Sequence, residues 1–131
     1  MTTAPTTVDT ALAVIHASRS DLFEFRFKPD AVLSSAGIQE IIQARTRLPE
    51  PERPPLVLLV LHEGLRLEME LFNRDQYAGH AVHELHRAVA IVVLTPVQET
   101  LTRLYFTYNP SPVPTEMFRT EAEALAWLAG Q

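Results

Sequence analysis

Eight residues in the middle of the chain, PPLVLLVL at positions 54–61, place six consecutive apolar residues behind two prolines. A strand with one solvated face would alternate polar and apolar residues, and a buried helix would need a longer run without a leading proline pair. The pattern therefore predicts a central β-strand that is covered on both of its faces.

Two strands and one helix are predicted before this central strand. Residues 12–17 and 22–28 have strand-like composition, and the second segment alternates three phenylalanines with three charged residues. Because successive side chains of a strand point to opposite faces, the rings share the buried face and the charges face water. Ser34 or Ser35 can cap a helix that runs to about Leu48.

The segment that follows the central strand supports two interpretations. Leu65–Leu71 alternates apolar and charged residues, a period of two that favours a strand. A parallel sheet, however, needs a crossover connection, which a helix from about Glu68 to about Arg87 would supply. We predict the helix and keep the strand as the alternative.

The last third of the chain predicts strand, helix, strand and helix. The apolar run 88–94 is typical of a second buried strand, and Thr95 begins a helix that extends as far as Asn109. Prolines precede a short edge strand at 115–118, and Thr120 opens a final helix with a capping box. In the helix that begins at Thr95, the residues predicted to pack on the sheet are Val97, Leu101, Leu104 and Tyr108.

The resulting order is β-β-α-β-α-β-α-β-α. It predicts a single α/β domain at residues 11–131, a mixed sheet of about five strands with four helices packed on it, preceded by a disordered tail at residues 1–10. The length of 131 residues is sufficient for one ordinary core.

Composition excludes several classes of function. The chain has 11 basic and 16 acidic residues, for a net charge of −5, and DNA or an acidic membrane surface would repel such a protein. It contains no cysteine, which excludes disulfides and thiolate-bound metal. No signal peptide or membrane-spanning run is evident, so we expect a cytoplasmic protein.

The second half of the chain resembles a known family. The residues that carry the resemblance are Ala88–Val93, Thr95, Pro96, Leu101, Tyr105, Phe106, Asn109, Pro114, Phe118, Glu121, Glu123–Leu125, Trp127 and Leu128. They are similar to those of small bacterial proteins described as SpoIIAA-like, with the STAS (anti-sigma-factor-antagonist) fold. The resemblance covers residues 60–130 well and the first half only in element order. The chain departs from the family pattern at Arg103, where Asn is usual, and at Thr95, which replaces Ser.

The resemblance implies the STAS fold and, with it, a protein-interaction or regulatory role. In regulatory STAS domains a Ser or Thr at the start of the helix after the central strand is phosphorylated, which adds a charge of about −2. The corresponding segment here, HEGLRLEMELFNR at 62–74, contains neither residue. We therefore expect partner binding that does not depend on phosphorylation at that place.

Catalytic and metal-binding patterns are weak. The chain has no Gly-x-Ser-x-Gly elbow and no glycine-rich phosphate loop, so we predict that it is not an enzyme and needs no cofactor. His80, His83 and His86 are spaced three apart, which on a helix would bring two imidazoles together. Without further ligands nearby, a solvated polar ridge is the preferred interpretation and a metal site the alternative.

Two sets of residues are candidates for ligand or partner binding. His62 and Glu63 leave the central strand at its carboxyl end, where open α/β sheets bind ligands, and Arg66 could hold an anion. An ordinary loop with one salt bridge is the competing interpretation. Aromatic side chains could line an apolar pocket or simply fill the core: Phe23, Phe25, Phe27, Tyr105, Phe106 and Tyr108.

Two functional hypotheses follow. The first is a non-enzymatic interaction module that forms a homodimer through an exposed apolar helix or edge strand and also binds a protein partner. The second is a carrier for a lipid or another apolar small molecule.

Overall fold

The computed structural model describes residues 6–19, 21–49, 51–68, 70–71, 76 and 85–131. The elements, in chain order, are β1 (Thr7–Asp9), β2 (Ala13–Arg19), β3 (Leu22–Phe27), β4 (Val32–Leu33), α1 (Ser35–Ala44), a 3₁₀ turn (Arg45–Arg47), β5 (Leu56–Val60), β6 (Arg66–Leu67), β7 (Ala88–Val92), α2 (Pro96–Tyr108), β8 (Thr115–Phe118) and α3 (Glu121–Leu128).

Six of the strands form one mixed sheet in the order β1-β2-β3-β5-β7-β8. The first three pair antiparallel, whereas β3, β5, β7 and β8 pair parallel. The predicted α/β class is confirmed, and strand β8 lies at an edge as expected. The main sheet has six strands rather than about five.

Strand β5 lies inside the sheet between β3 and β7, and its side chains alternate between two hydrophobic clusters. Leu56 and Leu58 pack with α3 on one face, while Val57 faces the opposite cluster, which includes residues of α1. The prediction of a central strand covered on both faces is therefore confirmed.

Strand β3 separates rings from charges in the same way. Phe23 and Phe25 belong to the cluster on the α1 side, and Phe27 packs against it. On the other face, Arg26 forms ion pairs with Glu24 (2.8 Å) and with Glu121 of α3 (2.7 Å). The charged face is therefore partly covered by α3 rather than fully open to water.

The predicted tail is wrong for its last residues, because Thr7–Asp9 forms the edge strand β1. Val8 pairs with Ile15 and is buried, and the Thr7 hydroxyl lies 2.8 Å from His16 Nδ1. The threonine-rich composition suggested a frayed terminus, but Thr and Val are β-branched and suit a pleated, half-buried surface. Residues 1–5 lie outside the described part of the chain.

The segment after β5 begins as a strand. Arg66–Leu67 pairs in parallel with Val32–Leu33, forming a small second sheet, and the Glu68 amide donates to the Leu33 carbonyl at 3.1 Å. The strand alternative is thus right for these residues, and the predicted helix does not begin at Glu68. Most of the rest of that helix lies outside the described residues. The described residues include three α-helices, against the four predicted for the whole chain.

Helix α1 begins at the cap that its sequence predicts. The Ser34 hydroxyl accepts a hydrogen bond from the Gly37 amide at 3.0 Å, and Ile41 and Ile42 are buried. The α-helix ends at Ala44, and a 3₁₀ turn carries the chain to Leu48. Within the described residues, no helix has the length and apolar character needed to span a membrane.

Candidate functional site on the two sides of helix α2

Helix α2 is fixed at both ends by capping interactions. The Thr95 hydroxyl accepts from the Gln98 amide at 3.1 Å, and Pro96 occupies the first turn, where its missing N–H leaves no hydrogen bond unmade. At the other end, the Asn109 amide donates to the Tyr105 carbonyl at 2.8 Å. These contacts fix where the helix begins and ends.

A buried glutamine ties α2 to the ends of two strands. Gln98 Nε2 donates to the His62 carbonyl at 2.7 Å, and its Oε1 accepts from the Leu94 amide at 2.8 Å. Gln98 is 3% exposed. Because its amide oxygen and its amide nitrogen each have a backbone partner, neither polar atom is buried without a hydrogen bond.

In the loop that the sequence suggested as a ligand site, the His62 side chain bonds to the backbone of the loop itself. The ring of His62 accepts at Nδ1 from the Gly64 amide at 3.1 Å, which closes the turn. Glu63 and Arg66 are exposed, and in the described part of the chain neither forms an ion pair. The structure does not place these three side chains beside Tyr105 or Tyr108 in a described pocket.

An apolar cavity of about 130 Å³ lies between α1, α2 and the sheet. Strand β3 contributes Phe25 and Phe27 to its wall, and α2 contributes Thr102, Tyr105 and Phe106. Further lining residues from the remaining elements are Leu33, Ile38, Ile41, Leu59, Leu61, Leu67, Leu71, Gln76 and Ile91. Four of the six aromatic candidates thus meet at this cavity, whereas Phe23 and Tyr108 are not among its described lining.

Two residues of the cavity wall, Tyr105 and Gln76, take part in hydrogen bonds of the fold. The Tyr105 hydroxyl accepts from the Gln76 amide at 3.0 Å, and Gln39 Nε2 donates to the Gln76 carbonyl at 2.8 Å. The space is a partly open pocket rather than a sealed void.

Another side of α2 carries an apolar stripe, here called the α2 stripe, in which Leu101 is half-buried and the other three residues are exposed: Val97, Leu101, Leu104 and Tyr108. Val97 and Tyr108 are 66% and 67% exposed, and Leu104 is 37% exposed. The prediction that these residues pack on the sheet is wrong for Val97, Leu104 and Tyr108, because the buried side of α2 holds Gln98 and Thr102 instead.

A buried arginine and a buried histidine lie on the same side of the sheet as the cavity. The Arg45 guanidinium sits over the rings of Phe23 (5.7 Å) and Phe25 (5.5 Å), and its Nη1 lies 3.0 Å from His86 Nδ1. Arg45 Nη2 also donates to the Leu85 carbonyl. Burial, followed by the Arg45 charge, lowers the pKa of His86 from 6.5 to about 3, so this imidazole is neutral at physiological pH.

The histidine cluster is described only in part. His86 is 4% exposed, so it does not belong to a solvated ridge, and its Nδ1 faces a guanidinium rather than a ligand-binding space. His80 and His83 lie outside the described residues. Among those described, no group of three or more potential ligands is positioned to hold a metal ion.

The remaining family-motif residues serve packing. The Pro114 carbonyl accepts from the Val89 amide at 2.9 Å, which aligns β8 with β7. The ring centroids of Phe118 and Trp127 are 5.7 Å apart, joining β8 to α3.

Sequence reasoning missed Gln98 and Arg45, although both left a signal. Gln98 stands three residues after the cap Thr95, the capping-box spacing at which a side chain reaches back over the helix start. Arg45 lies four residues after Ile41 and three after Ile42, on the apolar stripe of α1. A polar residue at such a position indicates a buried partner.

These features define the class of the protein: a SpoIIAA-like α/β domain. A crystal structure from Shewanella loihica PV-4, described as an uncharacterized protein from the DUF3478 family with a SpoIIAA-like fold, matches with a TM-score of 0.55. The identity is 21%, and the match covers 88% of this chain and 91% of that chain. At this identity the likeness establishes the fold, as the sequence resemblance predicted.

The family itself is defined by sequence. The domain of unknown function DUF7793 matches residues 16–131, and the chain belongs to that family. A comparison with curated proteins found no significant match.

Proposed function

We propose that this chain is a non-enzymatic protein-interaction module that self-associates through the α2 stripe. The observation that carries the proposal is the outward orientation of the stripe, with Val97 and Tyr108 each about two-thirds exposed. Large apolar side chains grouped on one exposed face are typical of an interaction site, whereas single exposed ones are not.

A second copy of the chain is the partner that fits this surface. The stripe is apolar at both ends of α2, so two helices packed antiparallel would place Val97 of one copy beside Tyr108 of the other. Such an arrangement is isologous, the commonest geometry of soluble dimers. Leu101 and Leu104 would occupy the centre of the contact.

The charges of α2 favour the approach of an identical helix. The helix carries one acidic and one basic residue, Glu99 and Arg103, which pair at 3.2 Å. Glu99 also pairs with Arg119 at 2.6 Å, and these contacts lower the pKa of its carboxyl. A helix without net charge presents no strong electrostatic barrier to its own copy, although the whole chain carries −5.

The size of the stripe sets the expected strength. A helix of 13 residues is about 20 Å long, and one apolar stripe on it covers less than the roughly 800 Å² per partner of a standard interface. We therefore expect a reversible dimer with a dissociation constant in the micromolar range or weaker.

The test is sedimentation or light scattering over protein concentrations from about 10 µM to 1 mM. The unchanged protein should shift from monomer to dimer, and Val97→Glu should remain monomeric, because dimerisation would bury an unpaired carboxylate. Glu is compatible with the first turn of a helix, so the fold should be retained.

Ala126→Glu is the matched control, because it adds the same charge at an exposed position of α3, on the other face of the sheet. This variant should dimerise like the unchanged protein. A monomer at all concentrations, or equal dimerisation of Val97→Glu and Ala126→Glu, would contradict the proposal.

A further inference from the structure

The cavity beneath α2 differs in kind from the α2 stripe. It has a volume of about 130 Å³, and none of its described lining residues is charged. Its wall includes four aromatic rings, from Phe25, Phe27, Tyr105 and Phe106. Since protein interiors ordinarily pack like organic crystals, space of this size beside large side chains indicates room for another molecule.

We propose that this cavity binds one neutral, monocyclic aromatic molecule of about the size of toluene. An apolar cavity of about 150 Å³, lined by aliphatic and aromatic side chains in another protein, stays dry and binds benzene. Aromatic pairs gain from edge-to-face or offset packing, and rings from both the sheet and α2 are available for it.

The volume favours a small ligand. Pockets for drug-sized molecules occupy about 300–1,000 Å³, and the space of about 130 Å³ found here suits a single ring better than a lipid chain or a fused-ring cofactor. We therefore propose a small ring, rather than a lipid, as the ligand of the carrier hypothesis.

The lining also determines the charge of the ligand. A carboxylate or ammonium group in this cavity would lose its hydration without gaining a charged partner from the described wall. Phenol and toluene therefore fit the lining, whereas benzoate, with the same ring and one negative charge, does not.

The inference does not depend on self-association. The cavity lies on the inner side of α2, with Thr102 and Phe106, whereas the α2 stripe lies on the outer side. A monomeric protein would retain the cavity, and failure of either proposal leaves the other standing.

The experiment measures binding of toluene, phenol and benzoate to the full chain by ligand-observed NMR and by the shift in melting temperature. Toluene and phenol should bind saturably and raise the melting temperature, and benzoate should do neither. Absence of saturable binding by toluene and phenol would overturn the proposal, as would equal binding of benzoate.

Substitutions locate the site. Ile38→Phe fills the cavity from α1 and should weaken toluene binding by at least about tenfold. Phe27→Leu enlarges the cavity from β3 and should shift the preference towards naphthalene. If Ile38→Phe does not fold, Phe27→Leu decides: an unchanged preference would overturn the assignment.

The matched control is Phe118→Leu, which makes the same change at a half-buried strand position on the opposite side of the sheet, beside α3. It should bind toluene like the unchanged protein. The same shift of preference towards naphthalene in Phe118→Leu would mean that the ring site is not the cavity.

Discussion

The two faces of the sheet are built differently. On the face covered by α3, small residues take part in the contact, with Ala88, Ala90 and Ala124 fully buried. The other buried members of this layer are aliphatic: Leu22, Leu56, Leu58, Val92 and Leu128. The small side chains allow the helix to lie close to the sheet, where close-packed atoms contribute most to stability.

The face covered by α1 and α2 holds large rings, buried polar groups and the cavity. Arg45 and His86 are buried at one end, and Gln98 and Thr102 are buried along α2. Each of these groups must keep hydrogen-bond partners when it is removed from water. This face is therefore constrained by geometry as well as by packing.

The two layers have different roles. The α3 layer stabilises the sheet, whereas the α2 layer positions a helix that has a cavity on one side and an apolar stripe on the other. We propose that the α2 layer binds both an aromatic ring and a second copy of the chain, because it contains both the cavity and the exposed apolar stripe.

The largest expected effect tests the packing difference between adjacent residues of β5. Leu58 points into the α3 layer and is fully buried, while Leu59 is half-buried and borders the cavity. Leu58→Ala should lower the free energy of unfolding by about 3–5 kcal/mol, and Leu59→Ala by about 2 kcal/mol. Urea denaturation of both variants measures the two values.

Leu58→Ala and Leu59→Ala serve as controls for each other, because the same atoms are removed from neighbouring positions of one strand. Equal losses for Leu58→Ala and Leu59→Ala would mean that the two faces are equally well packed, and the distinction between the layers would fail.

The next effect concerns the buried histidine of the α2 layer. His86 has a folded-state pKa of about 3, against 6.5 in the unfolded chain. Between these pH values the unfolded state binds more protons than the folded state. The stabilising effect of the neutral His86 side chain is therefore complete above pH 6.5 and is lost as the pH falls towards 3. Between pH 7 and pH 5 the free energy of unfolding should fall by about 2 kcal/mol from this group.

Urea denaturation at the two pH values, with two histidine variants, checks this expectation. His86→Gln should remove most of the dependence, although it should also be less stable at pH 7 because the contact with Arg45 changes. His16→Gln, at an exposed position on β2, should retain the dependence. A slope that survives in His86→Gln would show that other groups cause it.

The fold was largely predictable because its main signals are local. The apolar runs at β5 and β7 need no distant information, and Ser34, Thr95 and Thr120 cap the three described α-helices as their spacing predicts. Strand β1 was missed because its identity as a strand depends on pairing with β2, which a short threonine-rich segment does not reveal.

The candidate site was less predictable because it depends on relations between distant residues. Both the α2 stripe and the side with Gln98 and Thr102 have helical spacing. The stripe is the more apolar of the two, so the sequence predicted, wrongly, that it faces the sheet. Gln98 is buried because the His62 carbonyl, 36 residues away, accepts its hydrogen bond. The alternating phenylalanines predicted a face of rings, but a cavity is the space left by several elements together.

The smallest expected effect concerns the ion pair that joins β3 to α3. Arg26 and Glu121 side chains are 48% and 43% exposed, and their contact lowers the pKa of the Glu121 carboxyl. Exposed ion pairs contribute about 0.2–1 kcal/mol, and salt screens them. A double-mutant cycle with Arg26→Met and Glu121→Gln should give a coupling energy in that range, reduced in 1 M salt. A coupling of several kcal/mol would mean that charge, rather than small-residue packing, holds α3 on its face of the sheet.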